Sequence, residues 1–403
     1  MEVGALLIFV LVYLGMILGF WPGFALDRTG IALLGAIAFI ELQGISISQA
    51  ASYIDLSALA ILFSFMIISA QFFYGGFYTY IVDRMGKGKL TPSQLLLAVI
   101  FISAGLSAVL INDIVCLALT PLIIKVCFQK KINPIPFLLG LACASNIGSA
   151  LTLIGNPQNL LIGQVLNIPF AHYLKFSLIP CLLGLMGTWM VIKLQVKGKW
   201  FHENHAIDLE AIPFDWWQST KGIATILIIL LIFLFTDMPR DQVALIGAGF
   251  LLLSRRMASQ TMLSFIDWQL LVLFIGLFIV NRSFLSTNQA DYFLNSLKTY
   301  HIDLQSPLSL TLVAFILSNL VSNVPAVMLL LPFVNTDSNG SLLALSSTLA
   351  GNLFIVGSIA NLIVISQAAR FGIKLNWKIH AKVGFPVTLI TFLLAGGWLY
   401  LTA

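Results

Sequence analysis

Apolar stretches of near-bilayer length recur from one end of this chain to the other. A spanning helix needs about 20 apolar residues at ~1.5 Å each. Such stretches fall at 3–20, 29–45, 56–82, 176–195, 221–236, 241–255, 268–288 and 382–402. Of the 403 residues 59% are hydrophobic and only 9% are charged, where a soluble domain carries roughly 25% charge. Too little polar surface exists to cover such a chain in water, so the lipid bilayer is its solvent and first partner. The net charge of +5 sits between apolar spans rather than in a basic stripe with interleaved aromatics, so no nucleic-acid partner is expected.

Three further regions, 93–128, 136–167 and 306–371, are long and apolar but are broken centrally by Asn, Pro and Gly. The segment from Gly4 to Phe20 lacks a basic leader and a small-residue cleavage pattern, so it reads as a mature span. Cys116, Cys127, Cys143 and Cys181 fall in apolar segments without metal-ligand spacing and read as buried small side chains. The polar stretch 196–220 carries His202, Glu203 and His205. Their spacing does not suit a helical His pair, so this stretch reads as a solvated linker.

Lysine and arginine orient the chain. With the N-terminus outside and 93–128 and 306–333 treated as re-entrant hairpins, 17 basic residues fall on the inner side. Only Lys175, Arg240, Arg282 and Lys298 fall outside. That bias puts both termini outside and the linker in the cytoplasm of a multi-pass cell (inner) membrane protein. Arg282, at the outer end of its span, reads as an interfacial anchor that can also attract an anion.

The halves repeat. Arg28-Thr-Gly-Ile-Ala-Leu-Leu-Gly35 matches Arg240-Asp-Gln-Val-Ala-Leu-Ile-Gly247, and span-opening Asp55 matches Asp267. Asn112 and Pro121 match Asn323 and Pro332, Gly155-Asn-Pro-Gln-Asn159 matches Gly357-Ser-Ile-Ala-Asn361, and Pro180 matches Pro386. The offset stays near 202–212 throughout. The fold expected is all-α and polytopic, with two inverted-topology repeats at 1–195 and 221–403. Each repeat holds five transmembrane helices, one of them broken, plus a re-entrant helical hairpin. Inverted repeats are characteristic of secondary transporters that expose one central site to each side in turn.

Irregular backbone at membrane depth survives only where protein or a watery cavity satisfies it. Corresponding breaks in both halves therefore point to the site. The hairpin tips contribute Ser107, Asn112, Asp113, Ser318, Ser322 and Asn323, which line the expected site and can also cap helix N-termini. The interrupted helices contribute Ser145, Asn146, Gly148, Gly155, Asn156, Asn159, Asn352, Gly357, Ser358 and Asn361. Free carbonyls suit small cations, and exposed N–H groups at half-helix N-termini suit anions. Asp113 is the ionisable group at a tip, and such groups within a membrane usually carry function. It marks a proton or sodium site, with sodium placed near Asn112, Asp113 and Asn323. No other cofactor is expected. Asp55 and Asp267 read as N-caps.

Asn112-Asp113 followed by Leu119-Thr-Pro121 resembles the hairpin of arsenite-permease-like proteins. Ala144-Ser-Asn-Ile-Gly-Ser through Thr152-Leu-Ile-Gly155-Asn-Pro-Gln-Asn159 resembles the broken helix of the same family. That segment is also similar to sodium/proton antiporters and citrate or dicarboxylate carriers of the wider ion transporter superfamily, and the resemblance covers the chain from about Arg28 to Leu389. The resemblance implies a scaffold domain able to form a homodimer, a transport domain carrying both hairpins, and elevator-like movement. Dicarboxylate carriers of that superfamily show Ser-Asn-Thr at both tips. Here the tips read Ile111-Asn112-Asp113 and Ser322-Asn323-Val324, which favours the arsenite-permease and antiporter side.

The function expected is secondary active transport of a small inorganic or organic anion, or an oxyanion-like solute, coupled to a proton or sodium gradient by alternating access. The alternative is a sodium/proton antiporter. A membrane-embedded enzyme is the remote alternative, because all five histidines are placed in loops and no nucleophile or phosphate-loop motif occurs.

Overall fold

The computed structural model describes residues 2–201, 212–289 and 303–402. His202, Glu203 and His205 lie outside the described residues, as do Lys298 and His301. The described chain is helical, and seven of its helices are long and apolar enough to cross a membrane.

The first half runs α1 (Glu2–Leu18), α2 (Arg28–Gln43), α3 (Ile47–Ser52), α4 (Leu56–Tyr74) and α5 (Phe77–Lys87). It continues with α6 (Pro92–Val109), α7 (Asn112–Gln129), α8 (Ile135–Ser149), α9 (Pro157–Val165) and α10 (Phe170–Val196). The second half runs α11 (Trp216–Phe235), α12 (Arg240–Leu252), α13 (Ser259–Leu263), α14 (Trp268–Leu285) and α15 (Pro307–Val321). It closes with α16 (Asn323–Leu330), α17 (Asp337–Ala350), α18 (Ile359–Arg370) and α19 (Trp377–Thr402).

Local chemistry explains the helix ends. Asp55 and Asp267 are the N-caps expected of them, accepting from Ala58 N at 2.8 Å and from Leu270 N at 2.9 Å. Each satisfies one of the donors that a helix start leaves without an intrahelical partner. Thr91 and Gln94 form a reciprocal capping box at α6, with Pro92 at its first turn.

Several boundaries differ from the sequence reading. The stretch 56–82 is not one span: Gly75 and Gly76 end α4, and α5 follows with its basic residues Arg84 and Lys87 in the last turn. Asp215 caps α11, accepting from Trp217 N and Gln218 N, so helix begins at Trp216 and the linker is shorter than 196–220. Lys221, one of the 17 basic residues expected on the inner side, is buried within α11 and donates to Leu251 O at 3.2 Å. His172 and His380, assigned to loops, lie in α10 and α19.

The halves pack reciprocally. α2 packs on α14, and its counterpart α12 packs on α4, the counterpart of α14. α7 packs on α18, while α16 packs on α9. α10 packs on its own counterpart, α19. These exchanges bring the broken segments of both halves together in the protein interior, where α8 and α17 are buried over most of their length.

Candidate functional site

Helix interruption occurs at the four places expected. α6 ends at Val109 and α7 starts at Asn112; α15 ends at Val321 and α16 starts at Asn323. α8 ends at Ser149 before α9 resumes at Pro157, and α17 ends at Ala350 before a 3-10 turn at Ile355–Gly357 and then α18. Proline at the start of α9 fits, because the first helical turn has no use for the missing N–H.

Asparagine repairs both breaks in the same way. Asn159 Nδ2 lies 3.3 Å from Ser149 O and 3.2 Å from Thr152 O. Asn361 Nδ2 lies 2.7 Å from Gly351 O and 3.2 Å from Phe354 O, each atom 202 positions further along the chain. The amide oxygens face across the halves. Asn159 Oδ1 accepts from Thr348 Oγ1 at 3.0 Å, and Asn361 Oδ1 accepts from Asn146 Nδ2 at 3.2 Å. Thr348 again stands 202 positions beyond Asn146. The caps cross over as well: Asn156 Nδ2 donates to Thr348 Oγ1 at 3.2 Å, and Ser358 Oγ donates to Asn146 Oδ1 at 2.8 Å. Asn146 also donates to Asn352 Oδ1 at 3.0 Å. Carbonyls left unpaired in an apolar medium would cost several kcal/mol each, so these amides are what lets the helices stop at this depth.

The tips lean on the same breaks. Asn112 N donates to Gly155 O at 3.0 Å, and Ser107 Oγ meets Ser145 Oγ at 3.0 Å. A Cβ on Gly155 would lie 2.4 Å from Ser107 O, and one on Gly148 would lie 2.3 Å from Ala104 O, so both positions need glycine for helix and tip to touch. In the second half the amide orientation that satisfies both ends of Asn323 has its nitrogen donating to Gly357 O at 2.9 Å and Ser347 O at 3.0 Å. Its oxygen then accepts from Gln158 Nε2 at 3.2 Å. Neither Asn112 nor Asn323 acts as a side-chain cap; each opens its helix one residue past the cap. Ser322, the non-glycine residue between α15 and α16, has φ 75°, a conformation that costs a residue with a side chain of order 1–3 kcal/mol.

The symmetry fails at one informative point. Gln158 matches Ala360, which has no donor. Asn112 Oδ1 is accordingly buried without a partner among the described residues, whereas Asn323 is satisfied. Asp113 follows in the first turn of α7, half-buried, with no ion pair or hydrogen bond among the described residues. Its counterpart is Val324. Ser318 Oγ, Asn319 Oδ1 and Asn352 Nδ2 are also buried and unpartnered.

The sequence reading missed Thr348, Gln158, Tyr173 and His380. Tyr173 OH donates to Ala150 O at 2.7 Å, and His380 Nε2 lies 3.1 Å from Asn352 O, the carbonyl 202 positions further on. A carbonyl only accepts, so Nε2 carries the proton in that contact. Thr348 was reachable by extending the repeat from Asn146; Tyr173 and His380 lie on helices that give no break to notice.

The citrate transporter family profile (CitMHS) matches residues 7–350, most of the chain. The chain belongs to this family. Among its relatives is a 46 kDa membrane protein of Mycobacterium leprae, 27% identical, with 93% of this chain and 92% of that one covered. A silicon efflux transporter of Oryza sativa subsp. japonica is also 27% identical, with 92% and 91% covered. Among solved structures, the YdaH transporter of Alcanivorax borkumensis, described as having an unusual topology, superposes with a TM-score of 0.59. That match covers 99% of this chain and 97% of the other at 15% identity, so it supports the fold alone. The citrate-transporter-family chain is thus a multi-pass membrane transporter, from a family of transporters rather than enzymes.

Proposed function

We propose that this member of the citrate transporter family is a secondary active transporter of a small anion or oxyanion-like solute, driven by a proton or sodium gradient through alternating access. The observation that carries the reading is the reciprocal locking of two broken helices across the halves through Asn146, Asn159, Thr348 and Asn361. Two helix interruptions that satisfy each other form a polar centre that rearranges as a unit. In this reading the pseudo-two-fold axis lies in the membrane plane, the halves insert oppositely, and both hairpins re-enter from opposite sides. The termini lie outside the inner membrane, and 196–215 is cytoplasmic.

Asn112 Oδ1 and Asp113 supply the coupling site. The Asn112 amide oxygen is buried without a donor and the Asp113 carboxylate has no counter-ion among the described residues, so consecutive residues at this tip present two unsatisfied acceptors. Unsatisfied acceptors suit a cation or a proton. At the second tip Gln158 already donates to Asn323, so the cation belongs at the first tip. The family is named for citrate and one relative for silicon efflux, and neutral Asn, Ser and Thr groups and half-helix N-termini can bind a small oxygen-bearing solute. The same acceptors support the second reading, a sodium/proton antiporter without an anionic cargo.

Uptake into proteoliposomes under imposed proton or sodium gradients, with citrate, arsenite and silicic acid as cargo, tests the proposal. Asp113→Asn is expected to abolish gradient-driven uptake while leaving the folded yield and thermal midpoint near those of the parent. Gradient-driven uptake that survives Asp113→Asn refutes the coupling role. Sodium-for-proton exchange with no cargo uptake selects the antiporter.

A further inference from the structure

A cavity of about 440 Å3 opens between the end of α14, the α3–α4 junction, α9 and α16. One wall carries Phe278, Arg282 and Leu285, another carries Tyr53 and Asp55, and the opposite side is apolar, from Leu161 on α9 to Met328 on α16 and Pro332 beyond it. Leu161 lies about one helical turn beyond Pro157, and Met328 is likewise little more than a turn beyond Asn323. The cavity therefore borders α9, which starts at a central break, and α16, which starts at the second hairpin tip. Arg282 lines it instead of serving only as an interfacial anchor.

We infer that this cavity is an anion-capture site, distinct from the central breaks, in which the Arg282 guanidinium binds a small soluble carboxylate or inorganic oxyanion. Arg282 has no ion pair and no side-chain hydrogen bond among the described residues. The other charged residue in the lining, Asp55, has its Oδ1 engaged at the start of α4, where it accepts from Ala58 N at 2.8 Å. The positive end of that helix offsets the carboxylate. Asn281 is also spoken for, accepting from Tyr13 OH at 2.9 Å and donating to Met328 O at 3.0 Å. The guanidinium is thus the group left to recognise a ligand, and its planar fork matches a carboxylate or oxyanion in two hydrogen bonds. Arg282 is exposed, so a soluble anion can reach it. The first half has Ala70 and Gln71 at the corresponding turn, so the repeat supplies no matching charge on the other face. Capture is one-sided. The site serves the proposed transport by concentrating anionic cargo beside α9 and α16, and in that respect it rests on that reading.

The four native cysteines are buried, so a reporter thiol can be read alone. Ser52, exposed and lining the cavity, is replaced in Ser52→Cys and labelled with a membrane-impermeant maleimide. Labelling is followed in phosphatidylcholine vesicles with citrate or inorganic phosphate present, each alone. At least one anion is expected to slow labelling. Arg282→Gln is expected to raise the concentration needed about tenfold or more, and Arg282→Lys to retain part of the protection. Protection by neither anion, or protection unchanged in Arg282→Gln, overturns the inference. Protection conferred by adding phosphatidylglycerol alone overturns it too, because the occupant is then a lipid headgroup. Arg282-dependent protection without gradient-driven uptake upholds this site and counts against the transport proposal instead.

Discussion

Gln158 and Ala360 occupy matching positions and decide what each hairpin tip can do. Gln158 Nε2 reaches the Asn323 oxygen, and Ala360 leaves the Asn112 oxygen bare. Gln158→Ala is expected to orphan the Asn323 amide oxygen as well and to lower stability by about 1–3 kcal/mol. Thermal unfolding in detergent reads this as a drop in midpoint. Ala360→Gln is expected to offer Asn112 a donor in place of the coupling cation and so to reduce the dependence of uptake on that ion. Unaltered ion dependence in a folded Ala360→Gln protein argues against a cation at Asn112. This asymmetry was open to reading in the sequence, since Gly155-Asn-Pro-Gln-Asn159 and Gly357-Ser-Ile-Ala-Asn361 align residue by residue. Its consequence was not, because the partner of Gln158 lies across the two halves at Asn323.

At the level of the elements, hydropathy and punctuation placed most helices, because lipid demands length and breaks demand Asn, Gly or Pro. α1, α2 and α12 begin and end close to their expected limits. The α4–α5 junction was hidden because apolar residues continue through Gly75 and Gly76. The start of α11 was hidden because Asp215, Trp216 and Trp217 look like linker until Asp215 is seen capping the helix. The central breaks were legible as positions and not as bonds. Gly155 presses on backbone, 2.4 Å from Ser107 O and 2.6 Å from Ser149 Cα for an added Cβ. Gly357 meets the Asn319 side chain at 3.0 Å and Gly351 Cα at 3.3 Å. Gly155→Ala is therefore expected to cost substantially more than Gly357→Ala, which a pair of thermal midpoints compares directly. Equal midpoints contradict the close approach of tip and break in the first half.

Across the whole molecule, the exchange of partners between halves is what turns two bundles into one machine. α2 packs on α14 as α12 packs on α4, and the amides of each break close on the other. Such reciprocity makes the halves equivalent in packing, while Asp113, Gln158 and Arg282 make them unequal in chemistry. The equivalence is what opposite insertion of the halves would produce, and the inequality confines the unsatisfied acceptors of Asn112 and Asp113 to the first half and the cavity arginine to the second. The most direct measurement is the side of the membrane reached by a matched pair of positions. Ser46 precedes α3 and Ala258 precedes α13, both are exposed, and they stand 212 residues apart in the repeat. With the four native cysteines buried, the variants Ser46→Cys and Ala258→Cys in sealed right-side-out vesicles are expected to differ. Ser46→Cys reacts with an impermeant thiol reagent at once, and Ala258→Cys reacts only after the vesicles are opened. Reaction of both from the same side would contradict inverted halves and the alternating-access account built on them.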